Sequence, residues 1–289
     1  MKESINRKRY PSDLTDAQWD LLAPFIPPPS PNATQEVIPR REIVNGIVYV
    51  LRTGCSWRQM PHDLPNGKTV LHYFRCWQRD GTWEKAMHAL RRQVRGSMGR
   101  EEERKPPVSS TANPARPVQS QASDVAMMAG KKILGRKRHI LVDTQGFLLA
   151  VKVLAANIAD VTGARLLLEG LTQCFTRLSH LFADHGYDGE PFEHWLKEHL
   201  GWEIEIVPHQ EREAQTDWML VNGQPVQIRN PKGGFQVQRK RWIVERTFGW
   251  LIRFRRLARD DEGLPSSSEA FIQVASIRLL LTRLAPSRY

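Results

Sequence analysis

The hydrophobic period changes once along this chain, and that change limits the fold to a helical region followed by a mixed α/β region. Residues 1–97 carry apolar side chains at helical spacing. Thr15 precedes a run with Trp19, Leu21 and Leu22 as a candidate N-cap, and Pro27-Pro28-Pro29 stops that run. Ile43, Ile47 and Leu51 mark a helix over 41–52 with Gly54 just beyond it, and Val70, Tyr73, Phe74 and Trp77 mark another over 68–79. Thr82 caps a fourth, through Trp83, Ala86, Leu90 and Val94. From residue 130 onward the pattern predicts β-rich runs at 138–142 and 147–154 around Asp143-Thr144-Gln145-Gly146, a hairpin turn signal. A helix over 160–175, a short buried strand over 178–183, a helix over 191–200 and a strand over 203–207 follow. After a polar stretch holding Asn222-Gly223, a basic helix runs to about Leu257. A last helix starts near Ser266, with Glu269 at capping-box spacing. This order suits a mixed sheet flanked by helices. Residues 98–129 fit neither period, are rich in Pro, Ser, Ala and Gln, and read as an irregular linker.

Forty-two Lys and Arg against 31 Asp and Glu give a formal charge of +11, which favours a polyanionic partner because each neutralised phosphate releases counterions. On the 68–79 helix, Lys68, His72, Arg75 and Arg79 recur at intervals of four, three and four, opposite the apolar stripe. A small bundle with one basic outer helix is what a helix-turn-helix reader of double-stranded DNA requires, while a merely solvated face has the same pattern. The three cysteines (Cys55, Cys76, Cys174) are few and scattered, which argues against a disulfide framework or a Cys-rich zinc site. His72 and Cys76 stand four apart, but two ligands do not make a site. No signal-like or membrane-length apolar run is present, so the expectation is a cytoplasmic protein without a membrane partner.

Two carboxylates carry the chemistry. Asp184 closes the run Leu181-Phe182-Ala183, and Glu245 sits in Arg241-Trp242-Ile243-Val244-Glu245-Arg246-Thr247-Phe248 with Arg253, Arg255 and Arg256 beyond. An acid ending a strand and an acid on a later basic helix is the layout of a site where divalent cations, held by carboxylates, activate one oxygen of a phosphodiester and stabilise the other. Each has a plainer reading: a turn aspartate before Gly186, and an i,i+4 pair between Arg241 and Glu245. The basic clusters Lys131-Lys132 and Arg136-Lys137-Arg138-His139 tilt the choice toward phosphate handling.

The run from Gly130-Lys131-Lys132 through Arg136-Lys137-Arg138-His139 to Asp143, the motif Ala183-Asp184-His185-Gly186-Tyr187 and the motif around Glu245 resemble bacterial insertion-sequence transposases of the DDE class, the insertion-sequence-five group. Gly54-Cys55-Ser56-Trp57-Arg58-Gln59-Met60-Pro61 resembles that group's N-terminal domain. The resemblance covers almost the whole chain except roughly 108–129. It implies a DNA-binding domain over 1–97 and an RNase H-like catalytic domain over 130–289. It also implies two Mg²⁺ (or Mn²⁺) ions, cleavage at terminal inverted repeats with transfer into new DNA, a homo-oligomer when active, and a nucleoid-associated location in a bacterial cytoplasm. Asp184 matches the family's second acid, Glu245 its third, and Arg241 the basic residue preceding that glutamate. The DNA-contacting set would be Lys68, His72, Arg75, Arg79, Lys131, Lys132, Arg136, Lys137, Arg138, Arg241, Arg246 and Arg253.

The first acid is missing. The family carries it in a strand reading approximately Ile-Leu-Asp-Ser-Gln-Ser, and no in-frame aspartate of this chain fits that pattern. Read one nucleotide out of frame, the codons of Ser109 to Pro114 can encode that strand, with the aspartate straddling Ser110 and Thr111, and those of Ala126 to Met128 can encode Gly-Tyr-Asp. We read residues 108–128 as a compensated pair of frameshifts, in the gene or in its sequencing, with the sheet weakened where the strand is lost. Otherwise the chain is an inactive, DNA-binding remnant. The frameshift requires Ser110 to be encoded TCG and Ala126 to end in T; resequencing the gene checks both, and any other Ser110 codon defeats it.

Overall fold

The N-terminal helices begin and end where side chains satisfy their orphan backbone groups. Thr15 caps α1 (Asp16–Leu22) reciprocally: Gln18 N donates to Thr15 Oγ1 at 3.2 Å and Thr15 N to Gln18 Oε1 at 3.3 Å. α2 (Arg40–Thr53) stops at Gly54, whose φ of 75° is the left-handed region that glycine tolerates. α3 (Gly67–Arg79) starts on Asn66, whose side chain accepts from Lys68 N, and buries Val70, Phe74 and Trp77. α4 (Thr82–Ser97) is capped differently from the expectation. Thr82 is its first residue, and its N and Oγ1 both bond to Asp80 Oδ1 at 2.9 and 2.6 Å, while left-handed Gly81 takes the cap position.

A computed structural model of the chain describes residues 7–29, 38–99, 108–115, 126–128, 133–169, 171, 175, 178–207, 216–221, 224–229 and 241–286. The main sheet contains β1 (Val108–Ala115), β2 (Ala126–Met128), β3 (Ile133–Val142), β4 (Leu148–Ala155), β5 (His180–Ala183) and β6 (Glu203–Ile206). Its order is β2–β3–β1–β5–β6, with β4 on β3. β1 runs antiparallel to β3 and parallel to β5, and β5 is parallel to β6. α5 (Asp160–Leu168) and α6 (Glu190–Leu200) bury one apolar cluster with Leu141, Leu181 and Ala183. α7 (Arg241–Leu251) lies against β1. A separate antiparallel pair, β7 (Thr216–Val221) with β8 (Gln224–Arg229), occupies the stretch read only as polar; Asn222-Gly223 lies outside the described residues.

The segment expected to be irregular is therefore a strand at 108–115, and the position between β3 and β5 is filled rather than lost. The reason is that ladder pairing uses backbone groups, so neighbours on both sides can order a segment whose side chains show no period. Only Val108 to Ser110 pair with β5; from Thr111 on, β1 is paired to β3 alone. Pro114 falls in that one-sided part, where a missing N–H is tolerated.

The change of period near residue 97 is not a boundary of the core. α9 (Pro265–Leu284), from the far end of the chain, packs on α4 and on β4, and its apolar residues join those of α1–α4 and of β3–β4 in one cluster. Phe271 of α9 stacks on Phe74 at 4.5 Å and on Trp57 at 5.8 Å between ring centroids. The expected capping role of Ser266 and Glu269 is also different. Pro265 opens α9 with no side-chain cap, and Glu269 Oε1 instead accepts from Val153 N at 2.8 Å, satisfying the edge of β4. The helix expected to run to Leu257 breaks after Leu251 and resumes as α8 (Arg255–Ala258).

Gly67 makes a sharp test of this packing, because a Cβ there would lie 1.8 Å from Trp57 O, a backbone atom. Gly67→Ala is expected to cost several kcal/mol, on the order of 3, with a lowered denaturation midpoint in urea. An unchanged midpoint would mean that the 57–67 contact does not exist.

Candidate active site and nucleic-acid interface

Asp184 follows the last residue of β5, half-exposed, and its Oδ1 accepts from Gly186 N at 3.2 Å. The turn reading of this aspartate thus holds. Asp160, which sequence reasoning took only as a helix start, opens α5 close by. A Cβ at Gly186 would lie 3.0 Å from Asp160 Oδ2 and 3.2 Å from Asp184 Oδ1, so that glycine floors the space between two carboxylates. The one signal that pointed there was Gly186 itself. Asp160 is held by Lys137, whose Nζ donates to Asp160 Oδ1 and to Ile158 O, both at 2.8 Å.

Beside them His139 is fully buried. Its Nδ1 shares a hydrogen bond with Tyr187 Oη at 3.2 Å, and the ring lies so close to Gly163 that a Cβ there would come within 2.4 Å of it. Burial pushes the imidazole down to about 4, with Lys137 acting in the same direction and the carboxylates of Asp160 and Asp184 opposing.

β1 borders both the strand that Asp184 follows and the helix that carries Glu245. The parallel register ends by pairing Ser110 with Ala183, and carried one residue beyond that last pair it sets Thr111 level with Asp184. α7, lying against β1, carries Glu245, exposed on its surface. α7 is anchored at its next residues: Arg246 Nη2 donates to Gln145 O at 2.8 Å and Thr247 Oγ1 to Gly146 O at 2.9 Å. Arg246 is also sandwiched between Trp242 and Trp250, at 4.1 and 4.7 Å from the ring centroids.

The candidate DNA contacts divide sharply. Lys68, His72, Arg75 and Arg79 all lie exposed along α3, as does Arg253 after α7. α2 and α3 are joined by residues 54–66, longer than the three- or four-residue turn of a standard helix-turn-helix. Arg136, Lys137 and Arg138 are buried in β3, contrary to the expectation of a phosphate-facing cluster. Arg136 pairs with Asp260 at 3.3 Å and donates to Glu262 O and Gly263 O, each at 2.9 Å; Arg138 donates to Leu257 O at 2.6 Å and Arg259 O at 3.1 Å. These guanidiniums satisfy carbonyls in the last turn of α8 and in the segment just after it, which is internal capping. Lys131, Lys132 and the side chain of Arg241 lie outside the described residues.

Two family models match the chain. Residues 14–87 match one described as a putative transposase of the IS4/5 family, and residues 110–280 match the transposase DDE domain. The second covers more than half of the 289 residues, and the chain belongs to the DDE transposases of insertion sequences. A putative transposase for insertion sequence element IS402 of Burkholderia cepacia is 30% identical over 130 residues, 43% of this chain and 52% of that protein. An uncharacterized 16.2 kDa protein of the same insertion element is 31% identical over 90 residues, 29% of this chain and 61% of that protein. The chain thus spans between half and two thirds of these curated relatives. No solved structure matches significantly.

Domains of this family depend on a metal. The donor set here does not fit a pair of divalent ions. Thr111 is neutral, Asp160 is already offset by Lys137, and among the described residues no group of three or more His, Cys, Asp or Glu side chains could hold a metal. Asp184 and Glu245 alone would leave two such ions under-neutralised.

His139 gives the region a pH signature. Its folded-state value lies below the ordinary 6.5, so between pH 6.5 and 4 the unfolded chain binds a proton that the folded chain refuses. Stability is therefore expected to fall on acidification through that window, by up to about 3 kcal/mol from this residue. Thermal melts of the protein and of His139→Gln across the window check it; identical slopes would contradict the buried, neutral imidazole.

Proposed function

We propose that this chain is an insertion-sequence transposase that binds double-stranded DNA at the element's terminal inverted repeats through α3, and whose cleavage centre is short of one carboxylate. The observation that carries the reading is the register of β1, which leaves a threonine level with Asp184 on a strand against which the Glu245 helix lies. The strand order β4–β3–β1–β5–β6, antiparallel first and then parallel, with α5 and α6 on one face and α7 and α9 on the other, supports an RNase H-like catalytic domain. The exposed basic face of α3 supports groove or phosphate contact. Asp184 and Glu245 are the residues that would hold Mg²⁺ or Mn²⁺ in an intact site. Joining two element ends calls for at least a dimer, working at the nucleoid, and no described helix is long and apolar enough to cross a membrane.

In this chain the acids orient without completing a charge match for two ions, so strand cleavage and transfer are expected to be absent or severely slowed while DNA binding persists. The second reading, a DNA-binding remnant, is this same state fixed in the gene.

Thr111→Asp tests the deficit. It is expected to strengthen Mn²⁺ binding about tenfold or more by calorimetry, because a further unit charge close to a divalent ion is worth more than 1.4 kcal/mol even at high effective dielectric. Metal-dependent nicking of supercoiled DNA should appear with it, and both gains should vanish when Asp184→Ala is added. Tight Asp184-dependent Mn²⁺ binding by the unaltered chain would overturn the deficit. A gain that survives Asp184→Ala would overturn the site.

A further inference from the structure

The surface between the N-terminal helices and the segment after α7 holds Arg52, Arg58 and Arg255, which the candidate site does not use, beside Arg253, which is already among the candidate DNA contacts. Arg52, in the last turn of α2, is exposed and donates through Nη1 to Arg253 O at 3.3 Å. Gly54 follows, and a Cβ there would lie 3.1 Å from Arg255 Cβ, so the two main chains nearly touch. Arg256 fastens the same junction from within: its Nη1 donates to Cys55 O at 3.3 Å while Glu262 neutralises it at 2.6 Å. The loop then carries exposed Arg58 to the start of α3, where Trp57 O closes on Gly67 beside exposed Lys68.

Arg52, Arg58, Arg253 and Arg255 are all exposed, and among the described residues none has an acidic partner. Arg52 also stands near enough to Arg278 for repulsion to add to burial in lowering the Arg278 guanidinium. Cations gathered on two docked main-chain segments make a surface that a polyanion lying across them would neutralise. An ordinary solvated surface interleaves both signs. Here Glu262 points inward to Arg256, and Asp63, on the loop that carries Arg58, accepts from Tyr10 Oη at 2.8 Å.

We propose that Arg52, Arg58, Arg253 and Arg255 form a phosphate track that leads duplex DNA from α3 across this junction to the end of the helix bearing Glu245. The track rests on the reading of the chain as a DNA-binding transposase, and assigns the backbone, not base edges, as what it grips. α3 and α7 would then hold one continuous duplex, although they are some 170 residues apart in sequence.

The test uses the full chain and a random-sequence duplex, with affinity measured by fluorescence anisotropy over a series of KCl concentrations. Each phosphate contact contributes about 0.9 to the slope of log K against log salt. Replacing all four arginines by Gln is expected to reduce the slope by about 3 and to weaken binding at least about tenfold at 0.1 M KCl. Replacing them by Lys should keep most of the slope, because charge is the agent. Lys68→Gln with Arg75→Gln and Arg79→Gln forms a separate arm for α3. If the α3 variant weakens binding while the Gln variant keeps the full slope, the track is wrong and the DNA-binding reading stands. If a folded Lys variant loses slope as the Gln variant does, the track is likewise wrong. If the unaltered chain binds no duplex, both fall.

Discussion

The buried carboxylate of Asp143 is the constraint on which the rest of the arrangement depends. One oxygen accepts from Gln145 N at 2.9 Å and Phe147 N at 3.0 Å, which shapes the β3–β4 turn; the other takes the Arg95 guanidinium of α4 at 3.0 Å. The same turn receives Arg246 and Thr247 of α7 through its carbonyls, and Arg283 of α9 stands over Phe147. Gly146 is required there, with φ 78° and Thr247 Oγ1 only 2.7 Å from where a Cβ would sit. A buried ion pair gains little over an apolar filling, yet it is costly to break, and these hydrogen bonds fix its geometry. Through one turn, the helical region, the sheet and the helix of Glu245 take a single mutual position.

That arrangement sorts the basic residues into two kinds. Arg95, Arg136, Arg138 and Arg256 lie inside, offset by carboxylates or by main-chain carbonyls, and they tie distant parts of the chain together. Lys68, Arg75 and Arg79 of α3, with the junction arginines, lie outside. The net charge of +11 says only that cations exceed anions. Which of them can meet a phosphate depends on which are consumed by the fold. Inside, the Arg136 and Arg138 forks each satisfy more than one carbonyl, and Lys137 takes one carbonyl and one carboxylate.

The catalytic region has a complete framework and an incomplete charge set. β1 takes its place through backbone pairing with β3 and β5, and the sheet order and the seat of α7 are present with Ser, Thr, Ala and Asn in the strand. Metal binding has no such tolerance, because a ladder hydrogen bond is indifferent to side-chain charge and a divalent ion is not. Fold and chemistry thus come apart at one strand, which is why a transposase by family can retain its scaffold with its first acid absent.

The Thr15 and Gly54 helix caps, the β3–β4 hairpin, Asp184 at the close of a strand, Glu245 on a basic helix and the exposed stripe of α3 were legible in the sequence. The starts of α4 and α9 and the ends of α5 and α7 were not. Each legible feature rests on local spacing: caps, turn residues and period are set within a few residues of chain. The tertiary structure alone decided four things. It made a strand of 108–115, joined α9 to the N-terminal helices in one core, set Asp160 across Gly186 from Asp184, and buried Arg136, Lys137 and Arg138. Each of these depends on partners tens to hundreds of residues away, and local period carries no information about which distant backbone or carboxylate a segment will meet.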